Sequence, residues 1–137
     1  MHMQGVPETM QANPHYDNVI KEVIAFFSNK LEACRLAGIS DVIIDPGFGF
    51  GKTMQHNFQM LHGLGSFKML ECPVLAGLSR KGMIYKTLGV SAIEALNGTT
   101  AAHMLALING ASILRVHDVR EAVEAISIYN AYKNAAR

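Results

Sequence analysis

Asp45-Pro46-Gly47-Phe48-Gly49-Phe50-Gly51-Lys52-Thr53, arriving directly after Val42-Ile43-Ile44, decides how the rest of the chain is read. A short apolar run that breaks into a carboxylate and a glycine-rich turn has the form of a strand and its C-terminal end. The form recurs twice. Val74-Leu75-Ala76 runs into Gly77-Leu78-Ser79-Arg80-Lys81-Gly82, and Ile113-Leu114-Arg115-Val116 runs into His117-Asp118. All three runs are continuous rather than alternating, as strands covered on both faces are.

The intervening segments carry helical period and caps. Asn13-Pro14 offers a capping side chain before a proline suited to the first helical position. Tyr16, Val19, Ile20, Val23, Phe27, Leu31 and Cys34 then repeat as one apolar face, and Gly38 is a natural stop. A helix around Phe58, Met60, Leu61 and Leu64 separates the first two runs, and a short Met83–Leu88 helix follows the second. Ser91 with Glu94 reads as a capping box opening a helix through Leu96, Leu105 and Ile108 to Gly110. Asp118 with Glu121 repeats the device, followed by Val119, Ala122, Val123 and Ile126 on one face. The expected order is α-β-α-β-α-β-α, with three complete parallel strands and covering helices. Three such strands leave unpaired edges, so the chain reads as a slice of a larger α/β domain.

Composition narrows the function classes. Half of the 137 residues are hydrophobic and 17% are charged, a globular balance. The net charge of +1, with no basic cluster, speaks against a nucleic-acid or membrane-surface binder. No apolar run reaches the roughly 18 residues of a membrane span, and Met1-His2-Met3-Gln4-Gly5 is no secretory signal, so a cytoplasmic protein is expected. Cys34 and Cys72 lack partners at metal-ligand spacing and read as free thiols. His2, His15, His56, His62 and His103 show no zinc-type spacing and read as surface or satisfied polar residues.

Three polar strand ends in one short chain favour a shared site, since α/β sheets and barrels bind ligands at the C-terminal ends of their strands. Asp45 at the first end can accept two parallel hydrogen bonds from an amidine-like edge. The glycines let backbone approach a ligand closely, and Phe48 and Phe50 offer ring faces. The alternative is that Asp45 caps a turn and both phenylalanines are core. Two nucleotide loops fail on spacing. Counting back from Gly51-Lys52-Thr53 puts Pro46 where a Walker A loop needs glycine, and Lys52 stands where the dinucleotide fingerprint needs its last glycine. At the second end Ser79 and Lys81 share parity, so in an extended stretch both face one way. Lys81 can donate to a ring carbonyl or nitrogen near an anion; an exposed basic turn is the alternative. At the third end Arg115 and His117 fall on one face and suit a phosphate or diphosphate. A purely structural Arg115 would need a carboxylate beside it.

Together, Asp45 to Lys52, Gly77-Leu78-Ser79-Arg80-Lys81 and Arg115-Val116-His117-Asp118 resemble the sixth, seventh and eighth strand ends of the dihydropteroate synthase family. Met1-His2-Met3-Gln4-Gly5-x-Pro7 resembles the tail of the fifth. The resemblance implies residues 1–137 as one partial pterin-binding domain: the C-terminal part of a (β/α)8 TIM barrel, from the end of strand 5 through helix 8. It also implies the condensation of a dihydropterin diphosphate with p-aminobenzoate, releasing diphosphate.

By position, Asp45 would hold the pterin edge and Met1 would touch the ring. Lys81 would bond the pterin beside the p-aminobenzoate subsite, where sulfonamides compete, with Gly77, Ser79 and Phe50 lining the pocket. Arg115 and His117 would hold the diphosphate and Val116 would also contact substrate, with Lys81, Arg115 and His117 as the catalytic set. The family further implies Mg2+, held by an asparagine in an N-terminal half that has no counterpart here, and a homodimer formed through the last helices, here 58–137. A chain of this extent is expected to be inactive alone. Two alternatives remain: a natural non-catalytic pterin-binding or dimerisation module, and a pterin-dependent methyltransferase. The Lys81 and Arg115/His117 ends speak against the methyltransferase.

Overall fold

The computed structural model of the chain describes residues 1–6, 8–10 and 12–135. Pro7 of the N-terminal motif and Arg137 at the end of the expected dimer surface lie outside them. Helix α1 spans Val19–Leu36 and α2 spans Met54–His62, continuing after Gly63 into a 3-10 turn at Leu64–Leu70. Strand β1 is Leu75–Ala76, α3 is Gly82–Leu88, α4 is Leu96–Ile108, β2 is Ile113–Leu114 and α5 is Val119–Asn134.

The α/β expectation holds, but three complete strands do not form. Strands β1 and β2 pair in parallel, Leu75 opposite Ile113 and Ala76 opposite Leu114. Val42-Ile43-Ile44 contributes only a bridge, Ile44 to Val74, in which Ile44 N donates to Pro73 O at 3.0 Å and Leu75 N donates to Ile44 O at 2.8 Å. Val42 and Ile43 have no bridge partner among the described residues, and Ile43 is exposed. Backbone without a ladder neighbour is not held in strand register. The three segments converge where their chemistry begins, because the ladder is confined to their ends. The N-terminal segment joins the same edge: His2 N donates to Asp45 O at 2.9 Å.

Helix starts differ from expectation wherever another group takes the capping atom. Helix α1 is capped by Asn18 rather than Asn13: Asn18 Oδ1 accepts from Lys21 N and Asn18 N donates to Glu22, both at 3.0 Å. Tyr16 stays outside the helix yet is buried, with Val19, Val23 and Phe27. Helix α4 begins at Leu96, not Ser91. The Glu94 carboxylate does accept from Ser91 N at 3.0 Å and Oγ at 2.7 Å. However, the Arg80 guanidinium bonds the carbonyls of Ala92 and Ile93, which a helix opening at Ser91 would use for residues 96 and 97. Asp118 sits at the α5 N-cap position but makes no side-chain cap bond, because its carboxylate is also engaged by Arg80.

The core gathers Ile44, Phe48, Met60, Leu64, Phe67 and Leu78, all fully buried. Helix α5 packs on α4 through Ala122 and Ala125 and leaves Val119 and Val123 exposed, so its expected apolar face is only half used. No helix among the described residues is long and apolar enough to cross a membrane.

Candidate functional site

The three segment ends meet around Asp45. Its side chain is buried, with 6% of the residue exposed. Oδ1 accepts from Gly47 N at 2.8 Å, and Oδ2 lies 3.1 Å from Arg115 Nη1 at an angle that makes no hydrogen bond. The contact is therefore Coulombic, and Oδ2 keeps its lone pairs for another donor. Arg115 has the neighbouring carboxylate that a structural role would require, yet its side chain is 52% exposed. It is an ion pair at the lip of the site, not a pair sealed in the core.

Gly77 makes this approach possible. A Cβ there would sit 2.7 Å from Arg115 Nη2 and 3.1 Å from Nε, so the guanidinium lies across bare backbone. The glycines of the first end serve the chain itself more than a ligand. At Gly47, with φ +71°, a Cβ would meet His2 O at 1.9 Å, and at Gly51 one would meet Gln4 O at 2.4 Å. The N-terminal segment is laid on the back of the loop, and Met1, half exposed, sits beside Gly47.

The two phenylalanines part company. Phe48 is fully buried in the core, whereas Phe50 is half-buried with Lys81 Nζ 4.7 Å from its ring centroid. Lys81 Nζ also donates to Phe48 O. Burial, helped by nearby Arg115 and opposed by Asp45, pulls the Lys81 ammonium down to about 8. Ser79 and Lys81 do not point the same way, because Arg80 between them is left-handed, at φ 54°, and breaks the extended run. Ser79 is buried and its Oγ meets His117, accepting from the backbone N at 3.2 Å and lying 2.9 Å from Nδ1. Ser79 therefore holds the His117 ring, and His117 itself is exposed. Val116 is half-buried beside it.

Four residues escaped the sequence reading. Lys52, dismissed with the nucleotide loop, is buried with Nζ 3.0 Å from His2 Nδ1 and 3.1 Å from the carbonyls of both Gly47 and Phe50. His2 is buried too; burial and the Lys52 charge bring its pKa down to about 4, so the ring is neutral and can accept. Arg80 grips Asp118 through two bonds of 2.9 Å, and its N donates to Thr99 Oγ1 at 3.0 Å. This ties the second strand end to the third, and the Arg80 guanidinium holds the Asp118 carboxyl below its usual range. Acid–base pairing far apart in sequence leaves no local pattern to detect. His103 is likewise buried, with Nε2 unpartnered and its pKa lowered by burial, unlike the surface or satisfied polar residue expected there.

A model of the pterin binding enzyme family matches residues 1–117. The chain belongs to that family. It is 47% identical to the dihydropteroate synthase of Haemophilus influenzae over 98% of its own length and 50% of the relative's. The crystal structure of Yersinia pestis dihydropteroate synthase with a sulfonamide drug complex superimposes with a TM-score of 0.95 at 43% identity, covering 98% of this chain and 50% of that one. Thermus thermophilus dihydropteroate synthase, solved in complex with 6HMPPP and with 4-aminobenzoate, matches at 42% identity over 95% of this chain, with TM-scores of 0.90 and 0.89 and 53% and 54% of those chains covered. The chain thus spans about half the length of the curated relatives it matches.

No group of three or more His, Cys, Asp or Glu side chains gathers to hold an ion among the described residues. Among them Asp45 has no second carboxylate or imidazole beside it; its near neighbours are Gly47 N and the Arg115 guanidinium. Lys81 and Arg115 beside it make the neighbourhood cationic, which suits an anion.

Proposed function

We propose that this chain carries the part of a dihydropteroate synthase site formed by strand ends 5 to 8 of a (β/α)8 barrel, within one partial domain over residues 1–137. The observation that carries the reading is the convergence of Asp45, Lys81 and Arg115: a buried carboxylate with one free oxygen, between a half-buried ammonium and a guanidinium. That triad matches what a dihydropterin diphosphate presents. The pterin's N–H and amino edge donates to Asp45, Lys81 donates to the ring, and Arg115 with His117 meets the diphosphate. Met1 borders the ring, and Phe50 with Gly77 and Lys81 borders the p-aminobenzoate subsite. Ser79 acts there by fixing His117, with Val116 packed beside it.

Chemistry at such a site is electrostatic. Breaking the exocyclic C–O bond leaves charge on the diphosphate, which Arg115, Lys81 and His117 stabilise while the arylamine attacks the cation-like carbon. A second copy docking through the exposed side chains of α4 and α5, such as Leu105, Ile108 and Ile128, fits a homodimer of a cytoplasmic enzyme. The family's magnesium would be held outside this chain.

Titrating 6-hydroxymethylpterin into the chain and into Asp45→Asn tests the reading. The variant loses a charge-assisted pair of bonds and is expected to bind about tenfold or more weakly. Equal affinity removes Asp45 from the site. Turnover of both substrates with magnesium by the 137-residue chain alone, at the rate of a complete synthase, would contradict the division of the site between residues 1–137 and groups outside them.

A further inference from the structure

We propose that Lys52 is a positioning residue for pterin binding, holding from beneath the loop that aims Asp45 and Phe50 at the ligand. The inference rests on the reading of Asp45 as the pterin anchor.

A buried ammonium is retained only where its protons are used. Lys52 is 3% exposed, and its three N–H groups face three acceptors: His2 Nδ1 at 3.0 Å and the carbonyls of Gly47 and Phe50 at 3.1 Å. Those acceptors are not scattered. Gly47 follows Asp45 by two positions and donates its own N–H to the Asp45 carboxylate. Phe50 is the ring on which Lys81 rests, and Phe50 N donates back to Gly47 O at 3.1 Å. One ammonium therefore closes the turn that separates the pterin-edge carboxylate from the aromatic wall.

His2 completes the hold. Its ring faces Lys52 while its backbone N donates to Asp45 O, so Asp45 is fixed through its main chain by the same residue that faces Lys52. Tyr16, just ahead of α1, adds a brace, its OH donating to Gly51 O at 2.8 Å with the Lys52 ammonium 6.0 Å from its ring centroid. Lys52 Nζ points into the protein, away from any anion a phosphate-loop lysine would meet. Three acceptors around a point suit an ammonium, and a planar guanidinium fork does not fit them. Burial lowers the Lys52 pKa to about 8, with Asp45 acting the other way and Lys81 adding to the depression, so near neutral pH it is a charged donor.

The test compares Lys52→Met with Val23→Ala, a core truncation in α1 that lowers stability without touching the loop. Each is titrated with 6-hydroxymethylpterin well below its melting temperature, and affinity is expressed per folded molecule. Lys52→Met is expected to bind about tenfold more weakly than wild type, the scale of one lost charge-assisted contact, and Val23→Ala within about twofold. Lys52→Arg should not restore affinity. Should Lys52→Met fail to fold, His2→Phe removes one acceptor and keeps an aromatic ring. It is then expected to weaken binding and to speed hydrogen exchange at the Gly47 and Phe50 amides. Wild-type affinity in folded Lys52→Met, or in His2→Phe, overturns the inference while leaving Asp45 in place. Equal binding by wild type and Asp45→Asn removes the site reading and the inference with it.

Discussion

Gly47 and Gly38 share a left-handed backbone, at φ +71° and +75°, but differ in what surrounds them. A Cβ at Gly38 meets nothing within 4 Å, whereas one at Gly47 lands 1.9 Å from His2 O, a backbone atom that cannot step aside. Gly38→Ala should therefore lose only the left-handed penalty, about 1–2 kcal/mol. Gly47→Ala pays the same penalty and must also lift the N-terminal segment off the loop. That breaks the bond from His2 N to Asp45 O, worth about 1 kcal/mol net. It also strips His2 Nδ1 from the buried Lys52 ammonium, a further ~1–3 kcal/mol because a charged donor loses its partner.

The expected loss for Gly47→Ala is then about 3–6 kcal/mol, against about 1–2 kcal/mol for Gly38→Ala. Urea unfolding followed by far-UV circular dichroism measures both, with the slope checked for constancy between variants. Hydrogen exchange adds a local readout, since the His2 amide should lose protection in Gly47→Ala and keep it in Gly38→Ala. Equal destabilisation of the two, within about 0.5 kcal/mol, with His2 still protected, would refute the claim that the loop is built on the N-terminal segment.

Gly77→Ala should behave oppositely to Gly47→Ala, because the intruding Cβ meets the tip of a flexible side chain rather than backbone. Stability should change by less than about 1 kcal/mol, while the Arg115 guanidinium swings off Asp45 and inorganic pyrophosphate binding, read by calorimetry, weakens; unchanged binding would mean Arg115 does not need that seat. His2 gives a pH signature. Its folded pKa of about 4 lies below the ordinary 6.5, so its contribution is complete above about 6.5 and is lost as pH falls through about 4. The gap is worth at most about 3 kcal/mol. His2→Asn keeps an uncharged acceptor, so the stability difference between wild type and variant should shrink between pH 4 and 6.5; a difference flat with pH would show that His2 titrates normally.

The fold was legible where a signal was local. The runs at Val74-Leu75-Ala76 and Ile113-Leu114 become parallel strands because continuous apolar stretches between helices have few other homes. The segment at Val42-Ile43-Ile44 carried the same pattern but needed a ladder neighbour, and pattern cannot supply one. Helix starts failed for a related reason. Ser91-Glu94 and Asp118-Glu121 have the right spacing, and Arg80 claims the carbonyls or the carboxylate that each cap required. A cap is a competition for a few polar atoms, and a distant arginine is invisible to a rule about spacing three residues apart.

The site shows the same limit more sharply. Asp45, Lys81 and Arg115 announced themselves because each ends an apolar run, and the fold does bring them together. What sets their geometry did not. Lys52 looked like part of a failed phosphate loop, since the motif tests only whether glycines stand where an anion would lie. Its actual acceptors are two carbonyls of its own loop and the ring of His2, fifty positions away. The glycines that seemed to make room for a ligand make room for residues 1–4 and for the Arg115 fork. A glycine-rich strand end thus records close approach without saying what approaches. Here the chain's own backbone and side chains take that space first, and Asp45 Oδ2, buried beside Arg115, is a polar atom they leave without a hydrogen bond. In the proposed reading the ligand brings a donor to that oxygen, and so Asp45, rather than the glycines around it, carries the functional argument.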